Sequence, residues 1–316
     1  MAYDCCGFIE NLPDRAKNDL ATPDFLFIVP EKVDVGTGFI PVRNIRTTTR
    51  VVPTSNFQKQ DFENTVQKAK EYIAAGDIYQ VNLSQRLEIE FKGDPLELYQ
   101  RLSLINPSPF ASYFDLGDFQ IISSSPERLI KLENGIANTR PIAGTRPSWA
   151  KEADLILNEK ERAEHIMLVD LERNDLGRVC EYNSVLVNEK MVIEHYSHVM
   201  HIVSNVTGKL KADKNWFDLL CAMFPGGTIT GCPKIRSMEI IEKLEPVKRG
   251  IYTGSLGYID PQTQTMDMNI VIRTIVLKEN KAYVQVGAGI VADSDPEQEY
   301  LETLHKAQAM LDALAI

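Results

Sequence analysis

Short strand-like stretches that follow one another directly constrain this fold more than any other feature. Between residues 110 and 139, four such runs are joined by Gly or Asn turns. Strands joined by tight turns pair antiparallel, because a parallel pair needs a long crossover. The predicted helices enter one at a time between groups of strands. The pattern therefore predicts an α+β fold built on antiparallel sheets, and not an alternating βαβ fold.

No repeat, low-complexity run or linker divides the chain, so we predict one domain over residues 1–316. The first residues have the pattern of a strand end and a loop. We therefore expect part of the N-terminal region to be missing, with a catalytic core from about residue 57 to residue 316. Other predicted elements are a helix over 149–169, a turn over 174–177, and a second meander with strands over 251–260, 266–277 and 282–291.

The composition argues against several classes of protein. The chain has 34 basic and 44 acidic residues and a net charge of −10, whereas nucleic-acid binding requires a basic surface. No apolar run approaches the length of a membrane span, and the first residues lack the pattern of a signal peptide. The five cysteines form neither a CxxC pair nor a disulfide framework, so we expect a cytoplasmic protein.

The C-terminal stretch over 281–307 combines a strand, two closely spaced glycines and a helix. Gly287 and Gly289 lie at the strand end, where backbone amides can bind a carboxylate. On the predicted helix, Glu299 and Glu302 are three residues apart and share a face, with Lys306 one turn beyond. Taken alone, this pattern is typical of a solvated helix face with an ion pair.

A second pair of carboxylates, Glu161 and Glu164, has the same spacing on the helix predicted over 149–169. Two helices that each present paired carboxylates suit Mg²⁺, which keeps part of its water shell and takes few protein ligands. The residues alone support a shared magnesium site and two solvated helix faces about equally.

Two further charged residues lie at unusual places. Glu127 follows Pro126 at the end of a predicted strand. Burial there would raise the pKa of its carboxyl and suit a general acid, whereas on the surface it would be an ordinary turn residue. Arg273 is predicted to share the apolar face of a strand with Val271 and Ile275. It therefore needs a carboxylate partner, which either the protein or a ligand could supply.

Three other motifs favour structural roles. His195, His198 and His201 are spaced by three, but no Cys or Glu partner is in register, so a structural role is favoured over a zinc site. The run GGTITGCPK lacks the residue order of a phosphate-binding loop, and the run GAG lacks the βαβ context of a dinucleotide site.

Longer motifs resemble those of a known family, the chorismate-utilising enzymes. The resemblance extends from about residue 76 to the C-terminus and rests on PIAGT, KERAEHIMLVDLERNDLGRV, FPGGTITGCPKIRSMEIIEKLEP, GYID, MNIVIRT and VGAGIVADSDPEQEY. It implies antiparallel β-sheets forming an α/β sandwich with helices on the outside. It also implies chorismate as the substrate and Mg²⁺ as the cofactor.

The resemblance assigns roles to the matching positions. The ion would bind the ring carboxylate of chorismate, and Lys306 matches a lysine near that group. Glu164 and Glu302 match direct magnesium ligands, and Glu161 and Glu299 match ligands that act largely through water. The enolpyruvyl carboxylate would be held by the residues that match its cradle, which are Tyr252, Arg273 and the amide of Gly287 or Gly289.

Three positions match residues around the departing hydroxyl. Glu127 matches the general acid that protonates the leaving 4-hydroxyl, a role worth about 100- to 10,000-fold in rate. Thr145 and His165 match residues around the ring and this hydroxyl.

Two positions bear on the nucleophile. Family members that add water carry a lysine base where this chain has Gln80, and an amide cannot act as a base. The resemblance therefore favours the branches that use ammonia. The runs QVNLSQR, SSSPERL and MDMNIVIRT resemble aminodeoxychorismate synthase component I. Ala143 in PIAGT instead matches anthranilate synthases, in which ammonia attacks C2; the other branch has a nucleophilic lysine there.

The resemblance predicts a Mg-dependent amination of chorismate by ammonia to 4-amino-4-deoxychorismate, for 4-aminobenzoate and folate biosynthesis. One alternative is anthranilate synthase component I, which would form anthranilate for tryptophan biosynthesis. Another is a non-catalytic chorismate-binding subunit. A glutamine amidotransferase subunit is the expected source of ammonia, and we expect no nucleic-acid or membrane partner.

Overall fold

Two antiparallel sheets with helices packed on them form the protein in the computed structural model, which describes residues 1–10, 12–29, 53–147, 149–195 and 199–315. This architecture confirms the predicted α+β class. None of the helices in these ranges is long and apolar enough to cross a membrane.

The described elements have the following bounds. The strands are β1 (Thr54–Ser55), β2 (Gln80–Glu90), β3 (Phe110–Asp115), β4 (Phe119–Ser125), β5 (Arg128–Glu133), β6 (Ile136–Thr139), β7 (Ile142–Pro147), β8 (Leu186–His195), β9 (Val199–Lys209), β10 (Gly231–Cys232), β11 (Ser255–Asp260), β12 (Thr265–Ile270), β13 (Thr274–Lys278) and β14 (Lys281–Ile290). The helices are α1 (Cys6–Ile9), α2 (Lys59–Ala74), α3 (Pro95–Ile105), α4 (Glu152–Ile156), α5 (Glu159–Val179), α6 (Trp216–Met223), α7 (Lys234–Leu244) and α8 (Pro296–Leu314).

The strand order mixes early and late parts of the chain. The first sheet has the order β1-β2-β14-β13-β4-β3, and β10 also pairs with β2. The second sheet has the order β11-β12-β5-β6-β9-β7, and β8 also pairs with β9. In the first sheet, Gly287 and Gly289 of β14 lie opposite Ser84 and Asn82 of β2. The two glycines therefore share one side of the sheet with the side chains of the facing strand.

The chain passes between the two sheets where a continuous meander was expected. It crosses from β4 to β5 at residues 126–127 and returns from β12 to β13 at residues 271–273. The prediction of one strand over 266–277 is therefore wrong, and each predicted meander is divided between the sheets. Arg273 has a φ of 51°, which interrupts the strand and removes this residue from the predicted apolar face.

Hydrogen bonds tie these two crossings to each other. The backbone N–H of Ile270 donates to the carbonyl of Glu127 at 3.0 Å, and the N–H of Ser124 donates to the carbonyl of Arg273 at 3.1 Å. The hydroxyl of Ser125 also donates to the carbonyl of Ile270, at 2.5 Å. The crossings therefore run side by side, and Glu127 and Arg273 are held at the same edge of the sheets.

Helix α5 differs from the predicted helix over 149–169 at both ends. The side chain of Asn158 accepts a hydrogen bond from the N–H of Glu161 at 3.0 Å, so the helix begins at this cap and α4 is separate from it. The helix continues through the turn predicted over 174–177, because Leu176 and Val179 are buried in the main core cluster. Tertiary packing here outweighs the turn propensity of Asn and Gly.

Helix α8 begins where the sequence predicts. The side chain of Asp295 accepts from the N–H of Gln298 at 3.0 Å, and Pro296 occupies the first turn. Ala307, Met310 and Leu314 form a buried stripe at helical spacing, packed with residues of β14. This packing leaves the face with the paired carboxylates directed away from the core.

A buried ion pair connects several elements around the centre of the molecule. The side chains of Arg249 and Glu245 are 1% and 3% exposed and approach to 2.7 Å. Arg249 also donates to the carbonyls of Asn82, at 2.7 Å, and Ile229, at 2.9 Å. Its guanidinium lies 4.8 Å from the ring centre of Tyr3. One side chain thus joins the N-terminal segment, β2 and the turn before β10.

We expect Arg249→Met to destabilise the fold by about 3–5 kcal/mol, because it leaves the carboxylate of Glu245 buried without its partner. The double change Arg249→Met with Glu245→Leu should recover most of this loss. Urea unfolding would measure both. The matched control is Lys281→Met, which breaks an exposed pair with Glu88 (2.6 Å) and should cost less than about 1 kcal/mol. A similar cost for Arg249→Met and the control would contradict this expectation.

Candidate active site

A cavity of about 870 Å³ lies where the two sheet crossings meet β2, β7, β14, α5 and α8. Most of the residues singled out from the sequence line this cavity, although they come from distant parts of the chain. The lining includes Gln80, Glu127, Ala143, Glu161, Glu164, Tyr252, Arg273, Gly287, Gly289, Glu299, Glu302 and Lys306.

Two residues predicted for the site, His165 and Thr145, are not among the residues described as lining the cavity. His165 is fully buried, its Nε2 lies 2.6 Å from the hydroxyl of Ser204, and it is not among the residues that line the cavity. Burial lowers the pKa of His165 to about 4. The backbone of Thr145 belongs to β7 and pairs with His201, but its side chain lies outside the described part of the structure, as does His198.

The four paired carboxylates enter the cavity from two helices. Glu161 and Glu164 come from α5, and Glu299 and Glu302 come from α8. Their oxygen atoms are the donors that a hard cation such as Mg²⁺ prefers. Among the described residues, however, no three His, Cys, Asp or Glu side chains are grouped closely enough to hold a metal ion. Magnesium binding at these carboxylates stays a prediction; an ion there would take few protein ligands and complete its shell with water and substrate oxygens.

Basic side chains already accompany some of these carboxylates. Arg146 lies 3.1 Å from Glu161, and Lys306 lies 2.7 Å from Glu302. The ammonium of Lys306 also donates to the carbonyl of Gly287 at 3.0 Å. The cavity thus contains both signs of charge, which suits a ligand that carries carboxylates of its own and a cation bound to them.

The part of the cavity wall formed by β14 would allow a ligand to approach the backbone very closely. A Cβ atom at Gly287 would lie 2.5 Å from Oδ1 of Asn82, 2.7 Å from the hydroxyl of Tyr252 and 2.8 Å from the carbonyl of Leu83. Only a glycine fits there without displacing backbone. Arg273 lies near Tyr252, and burial lowers the pKa of its guanidinium, so the cavity favours an anionic partner for it.

The surroundings of Glu127, which lines the cavity, strongly affect the pKa of its carboxyl. It is 7% exposed, and burial raises its pKa to about 7. The nearby hydroxyl of Thr228 and the charge of Lys306 lower this pKa and so offset part of the effect of burial. The hydroxyl of Thr228 makes no hydrogen bond of standard geometry within the described residues. A carboxylic acid that keeps its proton near neutral pH can donate it to a leaving group.

The cavity also contains residues that the sequence did not reveal. Asn82 lies two residues after Gln80 on β2, and the alternation of a strand places both side chains on one side. The spacing of two between Gln80 and Asn82 could therefore have indicated Asn82 from the sequence. His201 lines the cavity from β9 because it faces Thr145 of β7 in the ladder. That register is a long-range property, so no local pattern indicated it.

Comparisons with known proteins show the family to which the chain belongs. Residues 41–312 match the model of the chorismate binding enzymes, and the chain belongs to this family. It is 53% identical over 268 residues to anthranilate synthase component 1 of Acetivibrio thermocellus, covering 83% of this chain and 54% of that protein. It is 44% identical over 358 residues to aminodeoxychorismate synthase component 1 of Bacillus subtilis strain 168, covering 100% of this chain and 76% of that protein.

A solved structure has the same fold. The crystal structure of anthranilate synthase component I from Streptococcus pneumoniae TIGR4 is 44% identical and superposes with a TM-score of 0.79, covering 86% of this chain and 62% of that one. The family and fold predicted from the motifs are thus confirmed. The chain spans about half the length of the anthranilate synthases that it matches, with coverage of 54% for that of Acetivibrio thermocellus.

We expect Glu127→Gln to stabilise the ligand-free protein above pH 7. The folded-state pKa of about 7 exceeds the ordinary value of 4.5, so between these values the unfolded chain releases the proton and the folded chain retains it. Stability of the natural protein therefore falls as pH rises through this window. The advantage of the variant should be near zero at pH 4.5 and reach about 3 kcal/mol above pH 7.

Urea unfolding of both proteins between pH 4.5 and pH 8 would measure this difference. The matched control is Glu133→Gln on the adjoining strand, since Glu133 is exposed and pairs with Lys131 at 2.7 Å. A pH-independent difference between Glu127→Gln and the natural protein would show that folding does not shift the pKa of Glu127.

Proposed function

We propose that this protein is a Mg-dependent chorismate aminase that forms 4-amino-4-deoxychorismate from chorismate and ammonia. The observation that carries the proposal is the position of Glu127, a buried carboxyl with a raised pKa, in the same cavity as Arg273 and the paired carboxylates. This combination of a proton donor and groups for two carboxylates suits chorismate, a dicarboxylate with a poor leaving group.

The chain's own residues would hold the substrate at both ends. Arg273, Tyr252 and the backbone of Gly287 would bind the enolpyruvyl carboxylate, since a guanidinium fork and a glycine wall allow close contact. Lys306 would lie near the ring carboxylate. Mg²⁺, bound by Glu164 and Glu302 and through water by Glu161 and Glu299, would neutralise that carboxylate and orient the ring.

Glu127 would then perform the proton transfer. Its carboxylic acid donates a proton to the 4-hydroxyl as the carbon–oxygen bond breaks, so that water leaves in place of hydroxide. Burial supports this role because it keeps the acid protonated near neutral pH. Gln80 supports ammonia as the nucleophile, because an amide at this position cannot activate water as a base.

The carbon that receives nitrogen separates two candidate functions. The match to the aminodeoxychorismate synthase of Bacillus subtilis, which covers the whole of this chain, supports C4. Ala143 supports C2 and therefore anthranilate synthase component I, because its side chain lines the cavity where a nucleophilic lysine would otherwise be. The higher identity to anthranilate synthases supports the same alternative. A non-catalytic chorismate-binding subunit is a third candidate, but it leaves the buried acid without a role.

A partner subunit completes the proposal. Relatives named as component 1 imply a second component, and we propose a glutamine amidotransferase that supplies ammonia. Glutamine should then replace ammonium only when that subunit is present. Failure of glutamine to support turnover with the native partner would count against this part of the proposal.

Product identification tests the proposed function directly. The protein is incubated with chorismate, Mg²⁺ and ammonium, and products are measured by mass. We expect 4-amino-4-deoxychorismate, which yields 4-aminobenzoate only after addition of aminodeoxychorismate lyase, and we expect EDTA to abolish its formation. Fluorescent anthranilate without any lyase would establish the alternative. Chorismate binding without any aminated product would support the non-catalytic subunit.

We expect Glu127→Gln to lower kcat for amination by about 100- to 10,000-fold, because the amide cannot donate the proton that the leaving hydroxyl needs. The KM for chorismate should change little, since the carboxylate-binding groups remain. Steady-state kinetics with ammonium measures both values. The control Glu133→Gln should retain the natural rate. A kcat within about threefold of the natural value in Glu127→Gln would exclude Glu127 as the general acid.

A further inference from the structure

The buried guanidinium of Arg249 uses every one of its N–H donors within the protein, and the proposed mechanism gives it no role. Its Nε and Nη2 donate to the two carboxylate oxygens of Glu245 at 3.0 and 2.7 Å. Nη1 donates to the carbonyl of Ile229 at 2.9 Å and to the hydroxyl of Thr253 at 3.2 Å, and Nη2 also donates to the carbonyl of Asn82 at 2.7 Å. Because a guanidinium has five donors, Arg249 can affect a ligand only through these neighbours.

Arg249 contacts three separate pieces of the cavity wall. Asn82 lies on β2, Ile229 lies in the turn before β10, and Tyr252 follows α7, yet all three line the cavity. The guanidinium lies 5.6 Å from the ring centre of Tyr252, and the carbonyl of Arg249 accepts from the N–H of Tyr252 at 3.1 Å. One buried side chain therefore sets the positions of three wall residues that are distant in sequence.

Two of these wall residues converge where the enolpyruvyl carboxylate of chorismate is proposed to bind. A Cβ on Gly287 would lie 2.5 Å from Oδ1 of Asn82 and 2.7 Å from the hydroxyl of Tyr252, so both polar groups face the same space beside β14. Arg249 holds the main chain of Asn82 and the ring of Tyr252. A shift of either residue would move a polar group at the point where a ligand carboxylate approaches Gly287.

The backbone directly after Tyr252 also depends on Arg249. Thr253 has a φ of 60°, a left-handed conformation that a β-branched side chain strongly disfavours. Its hydroxyl accepts from Arg249, and its backbone N–H donates to the carbonyl of Val271 at 2.7 Å. Such a conformation persists only where the surrounding structure holds it. Loss of Arg249 would therefore free the chain beside Tyr252 to change direction.

We propose that Arg249 is a positioning residue for substrate binding, which fixes Tyr252 and Asn82 in the arrangement that receives the enolpyruvyl carboxylate of chorismate. This inference rests on the proposed function, which supplies the ligand. A guanidinium suits the task because its planar fork holds several acceptors in fixed directions at once. A role in stability alone would leave the affinity of a folded variant unchanged, whereas a positioning role weakens binding in a protein that remains folded.

The double variant Arg249→Met with Glu245→Leu separates positioning from stability. It removes both members of the buried pair, so its free energy of unfolding should return close to the natural value. Its Kd for chorismate, with Mg²⁺ present and ammonium absent, should still rise about 10-fold or more, because small displacements of positioning groups are costly. Isothermal titration calorimetry measures Kd, and urea unfolding measures stability. The control Lys281→Met, which breaks the exposed pair with Glu88, should keep the natural Kd.

Coupling to Tyr252 provides a second readout that a general disturbance would not give. Tyr252→Phe alone should raise Kd, because the hydroxyl that meets the carboxylate is lost. Added to the double variant, it should raise Kd by less than about threefold further, since that hydroxyl is already displaced. Fully additive losses would overturn the proposal, as would a natural Kd in Tyr252→Phe, because either result would show that Arg249 does not act through this residue.

Arg249→Lys tests the same point if the double variant does not fold. An ammonium keeps the buried charge beside Glu245, but its three donors share one nitrogen and cannot replace the planar fork. We expect Kd to rise about 10-fold in the folded Arg249→Lys protein, and a natural Kd there would overturn the proposal.

Failure of this inference can be told apart from failure of the proposed function. If the natural protein does not bind chorismate, the proposed function fails whatever Arg249 does. If the natural protein and the folded Arg249 variants bind chorismate equally well, only the positioning role fails, and the contribution of Arg249 is confined to stability.

Discussion

The paired crossings between the two sheets are the constraint on which the site depends. The N–H of Ile270 and the carbonyl of Glu127 join one crossing to the other, and Ser124 and Arg273 make the second connection. Neither Glu127 nor Arg273 belongs to a regular strand, so these bonds between the crossings help to fix where their side chains project. The same bonds satisfy backbone groups that would otherwise be unpaired where the chain leaves a sheet.

Burial explains the opposing pKa shifts of the cavity residues. Removal from water penalises the charged form of any group, so it raises the pKa of Glu127 and lowers those of His201 and Arg273. Arg273 stays charged because its ordinary pKa is far above neutrality. One physical effect thus yields a neutral carboxylic acid, a neutral imidazole and a retained cation. The net charge of −10 for the chain makes this local positive charge essential for binding an anion.

The sequence predicted what local patterns determine and missed what long-range contacts determine. Helix spacing placed Glu299 and Glu302 on one face of the predicted helix, and both residues line the cavity, as does Gly287 from β14. The left-handed conformation of Arg273 had no such signal, because arginine has no preference for it. Long motifs added the family, which no periodicity could provide. His201 entered the cavity only through the register of β9 with β7.

The irregular pairing at Gly144 links the parts of the site that bear on the nucleophile. The register between β7 and β9 shifts between Ala143 and Thr145, and Gly144 has a φ of 62°, a conformation that favours glycine. A Cβ on Gly144 would lie 2.7 Å from Oε2 of Glu161, so the bulge also places α5 against β7. The carbonyl released by the bulge binds His201. Ala143, the cavity residue that bears on the nucleophile, is therefore adjacent in sequence to a glycine that binds His201 through its carbonyl and leaves room for a carboxylate from α5.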